Sequence, residues 1–142
     1  MVGTRKLSDA VLVEHMQEYA RRDGPNDFQG NIFRDARAPT NSVTEDHILN
    51  DNDKGAYLNV NSPGVVTITL PATWLPGHSC VVRRDGGGDV IWLAGAGSSI
   101  EVAASREHHT RILERFDEVM FRVTKNVNKT SAVWTIVGMT AP

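Results

Sequence analysis

The chain has 142 residues, of which 40% are hydrophobic, so it is long enough to bury one core without a metal or a disulfide. Its formal net charge is −2 and no basic stretch stands out, which argues against direct binding of nucleic acid through many phosphates. No apolar run of about 18 residues predicts a membrane span. The first residues also lack the apolar core of a signal peptide, so we expect no membrane association and folding in a reducing cytoplasm.

The N-terminal part of the chain has the pattern of a short amphipathic helix over residues 8–23. Ser8 is a good N-cap, and Gly24 with Pro25 ends the pattern. The apolar positions of this stretch share one helical stripe: Leu7, Val11, Leu12, Met16, Tyr19 and Ala20. An isolated helix of about 15 residues is marginal in water, so its stripe is expected to dock either on the chain's own β body or on a neighbouring subunit.

Residues 24–43 form a polar stretch that is too long for an ordinary connection. Three apolar residues, Phe28, Ile32 and Phe33, interrupt it and are costly to leave in water. We therefore interpret residues 1–43 as a helix and extended attachment arm. The residues predicted to bind a partner are Leu12, Met16, Tyr19, Phe28, Ile32 and Phe33.

From residue 44 to residue 142 the pattern changes to short runs with alternating apolar residues, separated by turn formers. This pattern predicts a mainly β fold, a single antiparallel β-sandwich or jelly roll of about eight strands. Phe121 and Trp134 are expected to be core residues of neighbouring C-terminal strands. The predicted strands are 46–49, 56–60, 65–70, 79–84, 89–93, 99–103, 118–124 and 132–139, with a further short strand or turn at 110–113.

No constellation in the sequence predicts catalysis, a cofactor or a metal site. Residues 50–55 resemble a calcium loop, but Lys54 occupies a ligand position, so an Asx-rich turn is expected. His108 and His109 are adjacent and have no metal-binding partners at suitable spacing. Residues 86–88, three glycines, are expected at the tip of a hairpin, and Cys80 is expected to be a buried, inert thiol. We therefore expect that the protein is not an enzyme.

The order of motifs in residues 44–139 resembles β domains common among structural proteins of tailed bacteriophages, including fibre, needle-knob and head-decoration proteins. The motifs are Asp53-Lys54-Gly55-Ala56-Tyr57-Leu58, Val65-Val66-Thr67-Ile68-Thr69-Leu70-Pro71, Pro76-Gly77 before Cys80-Val81-Val82-Arg83-Arg84, Gly86-Gly87-Gly88-Asp89-Val90-Ile91 and Ala132-Val133-Trp134-Thr135-Ile136-Val137-Gly138. Only one short helix precedes this body, whereas fibre and needle proteins usually carry a long shaft. The chain therefore looks most similar to a capsid cement, or decoration, protein.

That resemblance implies a virion structural protein, made in the host cytoplasm, on the outer surface of the capsid. The implied partners are the major capsid protein, whose neighbouring subunits it would clamp to stabilise the head, and other copies of itself, as a dimer or trimer at a capsid symmetry axis. The alternative is a fibre or tail-needle tip that binds a host receptor or glycan. Three tryptophans, Trp74, Trp92 and Trp134, are candidates for a sugar-binding face in that case.

Overall fold

The computed structural model describes residues 37–142, which consist of short β-strands joined by turns and two 3-10 helical turns at Asp51–Asp53 and Ala104–Arg106. Ala38–Pro142 forms one compact unit. The strands of this part of the chain are β1 (Thr40–Val43), β2 (His47–Ile48), β3 (Tyr57–Val60), β4 (Val66–Leu70), β5 (Ser79–Arg84), β6 (Val90–Ala94), β7 (Ser99–Ile100), β8 (Arg111–Ile112), β9 (Glu118–Lys125), β10 (Val133–Gly138) and β11 (Thr140–Ala141).

The strands form two sheets, so the prediction of a mainly β sandwich is confirmed. A six-stranded sheet has the order β1-β3-β5-β9-β10-β7, and a five-stranded sheet has the order β11-β8-β6-β4-β2. The first six strands alternate between the sheets: β1, β3 and β5 pair in parallel in one, and β2, β4 and β6 pair in parallel in the other. Each parallel connection therefore passes through a strand of the opposite sheet. In this half of the domain the chain winds in successive coils, and each coil stacks on the one before it.

The prediction that the sandwich is antiparallel is wrong for this first half. Among the described strands, antiparallel pairing occurs only where β9 joins β5 and β10, and where β8 joins β6 and β11. The sheets are therefore mixed. Alternation of apolar and polar residues along a strand specifies which face is buried, but it carries no information on the direction of the neighbouring strand.

A single apolar core lies between the sheets. It contains Leu58, Val82 and Trp134 from the six-stranded sheet, and it contains Ile68, Val90 and Trp92 from the five-stranded sheet. Phe121 and Trp134 are both fully buried and lie on the paired strands β9 and β10, as the sequence predicted. Trp134 Nε1 donates a hydrogen bond of 3.0 Å to the carbonyl of Pro71, so its polar atom is satisfied inside the core.

The glycine run at residues 86–88 is a corner between the sheets and is not a hairpin tip, because β5 and β6 belong to different sheets. This corner stacks on the corner between β3 and β4. The amide of Gly86 donates to the Val60 carbonyl at 3.1 Å, and the amide of Gly88 donates to the Ser62 carbonyl at 2.9 Å. A side chain at residue 88 would collide with the backbone of Gly64. Glycine is therefore required there for backbone to stack on backbone.

Strand β1 lies in residues that the sequence analysis assigned to the arm. It pairs in parallel with β3 and buries Val43 in the core. Its other residues are polar and half-buried or exposed, so Thr40–Val43 shows no apolar alternation that would have revealed a strand. The short strand β11 near the C-terminus was not predicted either.

Candidate functional site

The residues predicted to bind a partner lie outside the described residues 37–142. They are Leu12, Met16, Tyr19, Phe28, Ile32 and Phe33. Their assignment therefore stays a prediction, as does that of the helix over residues 8–23.

The segment at residues 50–55 is an Asx-rich turn organised around a buried carboxylate, as predicted. Asp53 is 2% exposed, and its oxygens accept hydrogen bonds from Asn41 Nδ2 and from the Asn50 amide, both at 2.9 Å. His47 Nε2 lies 2.7 Å from Asp53 Oδ2. Through these contacts the Asp53 carboxylate links β1, β2 and the 3-10 turn. Within residues 37–142 no group of three or more His, Cys, Asp or Glu side chains is placed to hold a metal ion.

The two adjacent histidines lie in different surroundings on the segment before β8. His108 is exposed, and its Nε2 lies 3.4 Å from Glu107 Oε2. His109 is half-buried, and its Nδ1 lies 2.7 Å from the Thr140 hydroxyl, which ties this segment to β11. The two imidazoles therefore have separate partners, Glu107 and Thr140.

All three tryptophans proposed for a sugar-binding face are buried in the core. Trp74 and Trp134 are 1% and 0% exposed, and their ring centroids lie 5.2 Å apart. Trp92 is also largely buried, but it contributes to the wall of a cleft of about 590 Å³. The lining residues of this cleft, which we call the Trp92 cleft, are Trp92, Ile100, Glu101, Val102, Glu107, His109 and Thr110.

Cys80 is buried on β5, as predicted, and faces the core. Burial raises the pKa of its thiol far above the ordinary value, and the negative charge of the nearby Asp53 raises the pKa further. A nucleophilic cysteine needs a lowered pKa and access to solvent. The environment of Cys80 provides neither.

The outer face of the six-stranded sheet carries an apolar row that crosses four strands. Cross-strand pairing places Tyr57 beside Val81, Val81 beside Met120, and Met120 beside Val137. Tyr57 and Val137 are 43% and 50% exposed, and the two central residues are half-buried by their neighbours. We call this row, with its members Tyr57, Val81, Met120 and Val137, the Met120 stripe.

Polar rows flank the Met120 stripe on both sides. On one side, Asn59 pairs with Arg83, which pairs with Glu118. On the other side, Arg122 pairs with both Ser79 and Thr135. Glu118 and Arg122 therefore lie on the same strand, β9, two residues to either side of Met120. An apolar row with a polar border has the general layout of a protein interface.

The outer face of the five-stranded sheet carries a second exposed apolar row. Ile48 pairs with Thr69, and Thr69 pairs with Leu93. Ile48 is 64% exposed and Leu93 is 47% exposed. We call this row, Ile48, Thr69 and Leu93, the Ile48 row. The row beside it contains Thr67, Ile91 and Arg111, so one charged side chain accompanies an otherwise apolar and threonine-rich surface.

Sequence reasoning did not identify either row. The alternation along β9 does place Met120 and Arg122 on the face opposite to Phe121, and that signal is present in the sequence. The rows themselves arise from the register between strands that are far apart in the chain. Register of this kind is set by the whole packed sandwich and is not visible in any one segment.

Comparison of the chain with protein-family models, with curated proteins and with solved structures finds no significant match in any of the three. In the described part of the chain, no helix is long and apolar enough to span a membrane.

Proposed function

We propose that the chain is a structural protein of a bacteriophage virion, a cement or decoration protein that binds the outer surface of the capsid. It would contact the major capsid protein and clamp neighbouring subunits, stabilising the shell against internal pressure. Two lines support this proposal: the resemblance of residues 44–139 to β domains of phage structural proteins, and the exposed apolar rows on both outer faces of the sandwich.

The observation that carries the proposal is the exposure of the Ile48 row. Leu93 lies on the inner strand β6 and Ile48 on the edge strand β2, and these two aliphatic residues are 47% and 64% exposed. Burying one such side chain in an interface contributes about 1.5–3 kcal/mol. A small clamp repeated over a shell gains further from the number of its copies. The row is flat, because its side chains stand on a sheet, which suits contact with a large, smooth surface.

The test is binding to heads from which decoration has been removed. Leu93→Glu places a charge in the Ile48 row and is expected to weaken head binding by more than about tenfold, since about 1.4 kcal/mol corresponds to that factor. Val127→Glu is the matched control: Val127 is 65% exposed, but it lies on the loop between β9 and β10. If both variants bind as tightly as the unaltered chain, the five-stranded sheet does not contact the capsid.

The Trp92 cleft favours a second candidate function, a fibre or needle tip that binds a glycan. The lining of the cleft combines the apolar side chains of Trp92, Ile100 and Val102 with the polar groups of Glu101 and His109. Apolar floors with a few convergent polar groups are typical of small-ligand sites. The surrounding Glu107 and Thr110 add further hydrogen-bonding groups for sugar hydroxyls.

A glycan-binding assay distinguishes the two candidate functions. In the second candidate, Glu101→Gln and His109→Ala both reduce binding to host surface glycan, whereas Leu93→Glu has no effect on it. In the cement function, glycan binding is absent and Glu101→Gln leaves head binding unchanged.

A further inference from the structure

We propose that the outer face of the six-stranded sheet is a symmetric dimer interface between two copies of this chain, with a two-fold axis that runs along the Met120 stripe. The inference concerns self-association of the free protein. It does not depend on where the protein binds in a virion.

The arrangement of charges on β9 supplies the first argument. Glu118 and Arg122 flank Met120 on opposite sides of the stripe. A two-fold axis along the stripe turns the second sheet over, so that each side of the stripe faces the opposite side in the other copy. Glu118 of one copy then faces Arg122 of the other, and the same pair forms a second time by symmetry. The face is therefore complementary to itself.

The present partners of these two charges supply the second argument. Within residues 37–142, the side chain of Arg122 makes no hydrogen bond and no ion pair, although the residue lies in the middle of a regular sheet. Glu118 is held loosely, because its carboxylate lies 3.6 Å from Arg83 Nη1, whereas Arg83 Nε is 2.6 Å from Asp85. The hydrogen bond that Arg83 donates to Asp85 is the main cause of the raised pKa of Arg83. Glu118 is thus free to accept a second cation.

The apolar residues match under the same symmetry. Each residue of the Met120 stripe meets its own copy or a close neighbour, so Val81, Met120 and Val137 pack against apolar side chains. The charged rows become the border of the contact. Sheets that pack face to face stand about 10 Å apart, a distance that the long side chains of Met, Glu and Arg are able to fill.

The size of the face predicts a dimer of moderate affinity. Four neighbouring strands at about 4.8 Å spacing and three rows of side chains cover roughly 19 Å by 20 Å, or about 380 Å² in projection. A standard interface buries about 800 Å² from each partner. We therefore expect a dissociation constant in the micromolar range, with dimers populated at high concentration and monomers at low concentration. The Ile48 row lies on the other sheet, so the dimer leaves it accessible.

The test is a charge exchange measured by sedimentation equilibrium of the full chain, without capsids, from about 1 to 300 μM. Arg122→Glu brings two carboxylates together, and Glu118→Arg brings two guanidinium groups together. Each single variant is expected to raise the dissociation constant by about tenfold or more, because facing like charges oppose association. The double variant Glu118→Arg with Arg122→Glu exchanges the pair and is expected to return the dissociation constant to within about threefold of the starting value.

Two further variants control for folding and for net charge. Lys125→Glu makes a similar change of charge on β9, at the end of the strand and outside the three rows, and is expected to leave the dimer unchanged. Met120→Lys places a charge on the axis and is expected to abolish dimerisation while thermal melting is retained. A chain that stays monomeric over the whole range overturns the proposal. So do single variants that dimerise normally, and so does a folded double variant that fails to recover.

Discussion

Trp92 and Phe121 meet edge to face across the core, with their ring centroids 5.4 Å apart and their planes at 74°. Trp92 lies on the five-stranded sheet and Phe121 on the six-stranded sheet, so this contact joins the two halves of the sandwich. An edge-to-face aromatic pair contributes about 0.5–1.5 kcal/mol beyond the area that it buries.

Phe121→Ala is expected to lower the free energy of unfolding by about 3–5 kcal/mol, because it removes this contact and leaves a cavity in a core that has no access to solvent. Trp134→Ala is expected to have an effect of the same size. Denaturation with urea, followed by circular dichroism, measures the change. Tyr57→Ala is the control, since Tyr57 is 43% exposed on the outer face. Equal midpoints for Phe121→Ala and the unaltered chain would contradict the assignment of the core.

Two of the three glycines of the β5–β6 corner offer a matched pair of substitutions. Gly88→Ala is expected to destabilise the domain by about 1–3 kcal/mol, because the added methyl group forces the corner away from the backbone of Gly64. Gly87→Ala is expected to change stability by no more than about 0.5 kcal/mol, since a side chain there meets no atom within 4 Å. Thermal melting of both variants tests the stacking of corners. Similar melting temperatures would argue against that stacking.

The buried thiol of Cys80 is expected to make the folded protein less stable at alkaline pH. Burial keeps its thiol protonated in the folded state, where its pKa is raised, whereas the unfolded thiol ionises near 9.0. The unfolded state alone releases this proton, so the contribution is complete below pH 9 and falls as the pH rises above it. Between about pH 8 and pH 10 the unaltered chain is expected to lose about 1.4 kcal/mol more than Cys80→Ala. Urea denaturation at pH 8 and at pH 10 measures this difference. Equal losses of unfolding free energy in the unaltered chain and in Cys80→Ala would show that the thiol ionises in the folded protein.

A chain that begins at Ala38 is expected to fold, because Ala38–Pro142 contains β1 and the whole apolar core between the sheets. A chain that begins at residue 44 lacks β1 and exposes the edge of β3, so it is expected to melt at a lower temperature. Circular dichroism of the two truncated proteins tests this difference. If they melt together, the pairing of β1 with β3 adds nothing to stability.

The period of the sequence was sufficient to predict most strands and the two-sheet class, because one buried face imposes alternation on β4, β9 and β10. The pattern was insufficient to predict β1, which is mostly polar, and it was insufficient to predict that strands β1 to β6 pair in parallel. The Met120 stripe depends on the register of β3 against β5, and of β5 against β9. Those pairings follow from tertiary packing, so the stripe had no signature in the local sequence.

The proposed place of the protein on the virion is tested most directly by sedimentation of the purified full chain with undecorated heads and, separately, with isolated tails. The cement function predicts that the chain sediments with heads at a fixed ratio to the major capsid protein and that it raises the temperature at which the heads rupture. It also predicts weaker binding by the chain that begins at Ala38, because the predicted arm residues have been removed. Sedimentation with tails, or with neither particle, would contradict the proposed function.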